Sequence, residues 1–336
     1  MKFEGQAEPD VCSFLADWAK GPGDVIRLKG DASTRRYYRL DGFGLGRAVL
    51  MATGAPFGDK EAAFLGIRKF LREIGVPVPE ILAAFPEKGM LLLEDLGDIS
   101  LRAFLESHGA DARRPVMEEA IDIILRMQKE GTARLTSDCP AYHVRFDPEI
   151  FYRELRFFHE NFLIVVSRAI PSRLEEELDG FYSGLAGELA GYSSVFCHRD
   201  YHVDNLYFHK AKVYVIDFQD ARIGPPAYDL ASFLTDRDIR GLLGDELRDR
   251  LFESYMKGMG ANRRDFDYPY ALAAVQRCLK AVGTFGFQMF ARGNQSYKRF
   301  IPPTISEFRR EVRNLPPYAQ MDEKIMELLP EEWREN

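Results

Sequence analysis

Apolar and polar positions follow two different rhythms along this chain. Up to residue 93, short apolar runs of strand length are separated by turn residues: Val25 to Leu28, Tyr37 to Leu40, Ala48 to Met51, Glu80 to Phe85 and Met90 to Leu93. Two helical patterns interrupt them. Val11, Phe14, Leu15 and Trp18 recur at helical spacing over 10–20 and stop at Gly21-Pro22-Gly23. Phe64, Leu65, Ile67, Phe70 and Leu71 form the apolar face of a helix that opens at Gly58-Asp59 and is stopped by Gly75 and Pro77. From residue 100 onward the rhythm is helical. It predicts helices over 100–108, 114–130, 148–166, 172–190, 227–235, 244–259, 266–290, 303–314 and 320–329, interrupted by a hairpin at 195–217. The expected fold class is therefore α+β and bilobal. A small, mostly antiparallel β-rich N-lobe (1–93) and a large helical C-lobe (100–336) are joined by a hinge at 94–99, with a cleft between them.

The densest chemistry lies in the interrupting stretch. Val195-Phe196-Cys197 runs into His198-Arg199-Asp200, Asn205 follows Asp200 by five positions, and the apolar strand Val213-Tyr214-Val215-Ile216 ends in Asp217. Turn-forming Asp and Asn residues beside a buried His would explain His198-Arg199-Asp200 alone. The joint spacing favours phosphoryl transfer from a nucleotide. That chemistry needs one carboxylate to orient and deprotonate an attacking hydroxyl, and an amide plus a second carboxylate to hold magnesium on the phosphates. Magnesium keeps several waters, so two protein ligands suffice.

Two loops admit paired readings. Lys29-Gly30-Asp31-Ala32-Ser33-Thr34-Arg35-Arg36 lies between two strands and suits a loop whose backbone N–H groups approach phosphates, or an ordinary polar hairpin turn. Leu91-Leu92-Leu93-Glu94-Asp95-Leu96-Gly97-Asp98 suits a hinge whose backbone reads an adenine edge, or a strand-to-helix turn with Asp98 or Ser100 as N-cap.

Composition excludes more than it selects. The 336 residues carry a net charge of −7, so no general attraction to nucleic acid or anionic membrane is expected, and no run approaches the length of a membrane span. The four cysteines lack C-x-x-C spacing and read as reduced thiols of a cytoplasmic protein. A monomer is expected.

With His198-Arg199-Asp200 through Asn205, Ile216-Asp217-Phe218-Gln219-Asp220 and Gly224-Pro225-Pro226-Ala227-Tyr228-Asp229-Leu230-Ala231-Ser232, the chain resembles the aminoglycoside phosphotransferase and choline kinase superfamily, which has the protein-kinase-like fold. Gly30 to Arg39, Leu92 to Asp98, Ile216 to Ala221, and Gln276 to Lys280 with Gly283 and Phe285 look more narrowly like the bacterial anomeric kinases of N-acetylmuramate and N-acetylglucosamine. Those enzymes phosphorylate the C1 hydroxyl in cell-wall sugar recycling. The resemblance implies ATP and Mg2+, with Asp200 as catalytic base, Asn205 and Asp217 as metal ligands, and His198 and Asp229 supporting the catalytic loop. It also implies Ser33 and Thr34 near the phosphates, and Glu94 and Leu96 offering backbone to adenine. One departure stands out: the phosphate-binding Lys expected in the third strand is missing from Ala48 to Met51. Arg47, Lys60, Arg35 and Arg36 are the candidate replacements. Glu61 either pairs with one of them or is a plain surface residue, the latter slightly favoured.

Charge bears on the acceptor. From Tyr268 to Ser306 there is no Asp or Glu, while Arg277, Lys280, Arg292, Lys298 and Arg299 are basic. A cationic acceptor would want carboxylates or an aromatic cage; an anionic sugar would want Arg or Lys. Gln276 and Lys280 share a helix face, and Gln219 and Asp220 are placed to meet sugar hydroxyls. The alternative is a solvated basic face. An acidic tail (Asp322, Glu323, Glu327, Glu331, Glu332, Glu335) keeps a cationic acceptor, such as an aminoglycoside, a choline-like amine or homoserine, in contention. The missing Lys keeps a nucleotide-binding pseudokinase in contention.

Overall fold

The structure, a computed structural model, describes residues 2–4, 8–28, 35–167 and 169–334. In chain order its elements begin with β1 (Lys2–Glu4), α1 (Pro9–Trp18), β2 (Gly23–Arg27), β3 (Arg36–Gly42), β4 (Gly46–Ala52), α2 (Asp59–Glu73), β5 (Ile81–Phe85) and β6 (Met90–Glu94). The helical part follows with α3 (Leu101–Ser107), α4 (Ala110–Arg126), α5 (Thr132–Arg134), α6 (Pro148–Phe158), α7 (Ile164–Val166) and α8 (Ser172–Gly191). Then come β7 (Val195–Cys197), β8 (Leu206–His209), β9 (Lys212–Val215), β10 (Arg222–Gly224), α9 (Ala227–Thr235), α10 (Ile239–Met259), α11 (Arg263–Gly286), α12 (Ile301–Val312) and α13 (Met321–Leu328). The fold is α+β, as the hydrophobic pattern predicts.

The sheet of the N-terminal part runs β1-β2-β3-β4-β6-β5, antiparallel except for the parallel β1–β2 pair. Successive side chains on a strand point to opposite faces. Ala48, Leu50 and Ala52 of β4 and Met90 and Leu92 of β6 pack with Val11, Phe14 and Leu15 of α1. Met51, Leu91 and Leu93 belong instead to the main core with Phe64, Ile67, Phe70 and Leu71 of α2. Within the apolar run, Ala48, Leu50 and Met51 are buried and Val49 is partly buried.

The predicted 195–217 hairpin is resolved differently. β7 pairs antiparallel with β10. The hairpin proper is β8–β9, whose turn residues Lys210 and Ala211 both have positive φ (49° and 58°), as tight two-residue hairpin turns require. Helix boundaries also move. The 148–166 helix is α6, a π-helical turn (His159–Leu163) and α7. The 266–290 helix starts at Arg263 and ends in another π turn, Phe287–Ala291, as α4 does in Met127–Gly131. The 244–259 helix extends back to Ile239 across a kink at Gly244. α11 is buried over most of its circumference. It crosses α6 so closely that a Cβ on Gly283 would lie 2.7 Å from the Phe158 Cα. No helix among the described residues is long and apolar enough to cross a membrane.

Candidate active site

β7 delivers the chain to His198, and the loop after it is held by a helix rather than by a sheet. Asp229, in the first turn of α9 and fully buried, accepts the backbone N–H groups of His198 (2.7 Å) and Arg199 (3.0 Å). Burial raises the pKa of Asp229, opposed by His198 and by these two N–H donors. His198 is itself buried. Its Nε2 lies 2.9 Å from the Ile216 carbonyl, and its Nδ1 accepts the Asp200 N–H at 3.2 Å. His198 therefore joins the loop at 200 to the end of the strand that leads to Asp217. Two non-glycine residues here adopt left-handed backbone, Arg199 (φ 85°) and Asp217 (φ 62°). Such conformations cost free energy and collect at functional sites.

Asp200 is surrounded by cations. Its Oδ1 accepts from Lys280 Nζ at 2.8 Å and Arg277 NH1 at 3.1 Å, while Arg199 Nε stands 3.9 Å from Oδ2. Burial alone would raise its pKa; Lys280, then Arg277 and Arg199, outweigh burial and hold the carboxyl well below its ordinary range. A second carboxylate completes the cluster. Glu154 of α6 accepts from Gln276 (2.7 Å) and Arg199 (3.2 Å), and Lys280 lies 3.5 Å away. Burial opposes its ionisation too, and Lys280 and Arg199 lower its pKa regardless.

Asn205 and Asp217 are brought side by side by a backbone bond from Ile216 N–H to the Asn205 carbonyl (3.0 Å). The Asn205 Nδ2 sits 2.9 Å from the Asp200 carbonyl and 3.3 Å from His202 Nε2, leaving the amide oxygen for a ligand. Among the described residues, Asp217 Oδ1 accepts from a neutral amide, that of Gln219 at 2.7 Å. Two hard oxygen donors, with no neutralising cation bonded to them among the described residues, suit magnesium. The next residue, Phe218, is buried and stacks on Phe64 of α2, with centroids 4.9 Å apart.

On the nucleotide side, Ser33 and Thr34 lie outside the described residues. Arg35 bonds Glu61 through Nε (3.2 Å) and NH2 (3.1 Å), with both side chains about nine-tenths buried. Glu61 also accepts the Gly58 N–H at the start of α2, so it is not the plain surface residue the sequence favours. The electrostatics of the Tyr37 phenol, raised mainly by burial, include both Arg35 and Asp217. Arg36 turns away to Asp10 and Glu8 of the α1 region. Arg47 is exposed, bonds Asp41, and sits at the β3–β4 turn, five residues along the sheet from Arg36. At about 3.3 Å per residue it is ~17 Å along the sheet from the start of β3, at the opposite end from Arg35. The Glu94 N–H donates to the Glu80 carbonyl, and the Glu94 carboxylate reaches Lys210 Nζ (2.7 Å) in the β8–β9 turn. Leu96 is buried, and Ser100, not Asp98, caps α3.

The residues expected to meet the acceptor divide. Gln219 lies on Asp217. Asp220 is half-exposed, 3.5 Å from Arg199. Gln276 is committed to Glu154, and Arg277 and Lys280 to Asp200. The solvated-face reading holds for Lys298, which pairs with Glu332, but fails for the buried Arg277. In the acidic tail, Asp322 is buried and holds Arg309 and Arg313, so it is structural rather than a cation trap. Glu154 is the residue that sequence reasoning missed. An isolated Glu on an amphipathic helix carries no signal, and its partners lie 45 residues away in the loop after β7 and more than a hundred away in α11.

Residues 24–268 match the model of the phosphotransferase enzyme family. The chain is 30% identical over 328 residues to the N-acetylmuramate/N-acetylglucosamine kinase of Pseudomonas aeruginosa, covering 94% of this chain and 92% of that one. It is 28% identical over 317 residues to the protein of the same name from Neisseria meningitidis, covering 92% of each. Among solved structures it is similar to choline kinase from Cryptosporidium parvum (TM-score 0.58, 15% identity, 94% and 96% of the two chains). It is also similar to an ADP-bound aminoglycoside phosphotransferase (TM-score 0.57, 10% identity, 90% and 99%). These structural likenesses speak to the fold alone. The family match, covering most of the chain, speaks to the chemistry: the chain belongs to the phosphotransferase enzyme family and uses ATP to phosphorylate an alcohol group of a small molecule.

Proposed function

We propose that this protein transfers the γ-phosphoryl group of ATP to the anomeric C1 hydroxyl of an amino sugar of the N-acetylmuramate/N-acetylglucosamine type, in the recycling of cell-wall sugars. The observation that carries the acceptor is kinship over nine-tenths of the chain with kinases of that name. The charge around Asp200 supports it. Lys280, Arg277 and Arg199 pair with Asp200, Glu154 and Asp220, so these carboxylates are already matched and a neutral or anionic sugar suits the site better than a cationic acceptor.

In this reading Asp200 is the base. Its Oδ1 is occupied by Lys280 and Arg277, so Oδ2 accepts the acceptor hydroxyl, orients it and takes its proton as the phosphoryl group transfers in line. A hemiacetal hydroxyl is more acidic than an ordinary alcohol, so a carboxylate of depressed pKa suffices, and positioning carries most of the rate. Asn205 and Asp217 would hold Mg2+, which when bound neutralises charge on the phosphates. Arg35, fixed by Glu61, supplies the cation that β4 lacks, with Ser33 and Thr34 in the preceding loop. The phosphate-binding lobe is 1–93, the hinge 94–99 reads adenine through Glu94 and Leu96, and 100–336 carries the catalytic and acceptor residues. The enzyme acts as a cytoplasmic monomer, and Cys139, Cys197 and Cys278 are buried free thiols, as a reducing compartment leaves them.

The test is ATP turnover against N-acetylmuramate, N-acetylglucosamine, the 1-O-methyl glycoside of each, aminoglycosides and choline. Turnover with the reducing sugars and none with the methyl glycosides is expected. Turnover with amines alone would overturn the acceptor assignment.

A further inference from the structure

We propose that His202, backed by Asp236, is a positioning residue that, together with the Asp200 carbonyl, holds the Asn205 amide with its oxygen toward the metal. The two ends of a carboxamide are nearly identical in shape, so only their hydrogen-bond partners decide which is nitrogen and which is oxygen. At Asn205 one end meets two groups, the Asp200 carbonyl at 2.9 Å and His202 Nε2 at 3.3 Å. The carbonyl can only accept. The end that meets it is therefore NH2, and its second hydrogen requires Nε2 to accept as well. With both hydrogens used, the oxygen is the end presented to a cation.

For Nε2 to accept, the imidazole hydrogen must sit on Nδ1. His202 Nδ1 lies 3.7 Å from Asp236 Oδ2 and 3.9 Å from Asp204 Oδ2. Asp204 is already engaged, by Arg102 Nε at 2.8 Å and by Arg237. Asp236 Oδ2 and His202 Nδ1 are both buried, and neither has a hydrogen-bond partner among the described residues. They stand 3.7 Å apart, with Arg237 Nε 3.9 Å from the same Asp236 oxygen, and a small adjustment closes the gap between carboxylate and ring. His202, Asp204 and Asp236 together resemble a cation site. Arg102 and Arg237 against Asp204 already supply positive charge there, so the cluster is an orienting chain of carboxylate, imidazole and amide.

The fold builds this chain economically. Asp236 follows the last residue of α9, and Asp229 lies in its first turn, seven residues and so about two turns earlier. One buried helix thus braces the backbone at His198 and Arg199 with one carboxylate and the His202 ring with the other. Groups that orient metal ligands in this way characteristically contribute about 10- to 100-fold in metal affinity.

The proposal rests on the reading of Asn205 as a metal ligand, and the experiment separates the two. Mn2+ binding to the protein–ADP complex is measured by the loss of the free-ion EPR signal, alongside ADP affinity without metal. Wild type, Asn205→Ala, His202→Ala, His202→Gln and Asp236→Asn are compared. His202→Ala should weaken Mn2+ about tenfold or more while leaving metal-free ADP binding unchanged. His202→Gln, whose amide oxygen can accept from Asn205, should recover part of that loss. Asp236→Asn should shift in the same direction and reports even if His202→Ala does not fold. Wild-type Mn2+ affinity in His202→Ala or Asp236→Asn, with the Asn205→Ala affinity lost, would overturn the positioning role alone. An unchanged affinity in Asn205→Ala would overturn the metal assignment and the proposal with it. Parallel losses of Mn2+ and metal-free ADP binding would show a merely structural role.

Discussion

At the scale of single residues, Asp200 is ionised by its neighbours rather than by solvent. Replacing it with Asn removes the proposed base while keeping its shape, and should lower kcat about a hundred- to ten-thousandfold with ADP binding retained. Lys280→Met tests the electrostatics. Lys280 favours the charged form of Asp200, so its loss leaves burial less opposed and the Asp200 pKa rises. A raised pKa means that the base is protonated at higher pH. The acidic limb of kcat/KM should therefore move to higher pH, and the variant should lose more activity in mildly acidic than in mildly alkaline buffer. An unmoved limb would show that another group sets the profile. Asp229→Asn would put an amide NH2 where two backbone N–H groups need an acceptor. It should cost about 2 kcal/mol or more in urea denaturation, with a fall in kcat. That Asp200, Asn205 and Asp217 come together was legible in the sequence because short-range spacing carries it. Glu154 and the Arg35–Glu61 pair were not, because each is completed by residues distant in sequence.

At the scale of elements, α2 and α9 position the chemistry from opposite sides. α2 holds Arg35 through Glu61 and packs Phe64 on Phe218, so the residue after Asp217 is anchored to the same helix that fixes the phosphate-side cation. Phe64→Ala should cost about 3–5 kcal/mol by core truncation. It should also raise the ATP KM through Arg35 and Asp217. Arg35→Ala should raise the ATP KM about tenfold or more with kcat less affected, and Glu61→Gln should follow in the same direction more weakly. Steady-state kinetics against ATP would check both. The strands of the N-terminal sheet and most helices could be read from periodicity. β1 could not, since three residues carry no period. Nor could the β7–β10 pairing, because local pattern places a strand without naming its partner. The π turns were invisible for a related reason: one extra residue per turn preserves an apolar face while shifting what lies beyond it.

At the scale of the whole molecule, net charge misleads and local charge informs. The chain is acidic overall, yet the groups that converge on Asp200 from the catalytic loop and α11 are basic. The acidic C-terminal residues that left a cationic acceptor open are partly spent on internal pairs, Asp322 with Arg309 and Arg313, and Glu332 with Lys298. The central claim is phosphorylation at an anomeric oxygen by Asp200-assisted transfer from ATP. The most direct measurement is proton-coupled phosphorus NMR of the product formed from N-acetylglucosamine and ATP. The account predicts a phosphomonoester resonance coupled to the single anomeric proton. A resonance coupled to the C6 methylene protons, or no sugar phosphate despite nucleotide binding, would contradict it.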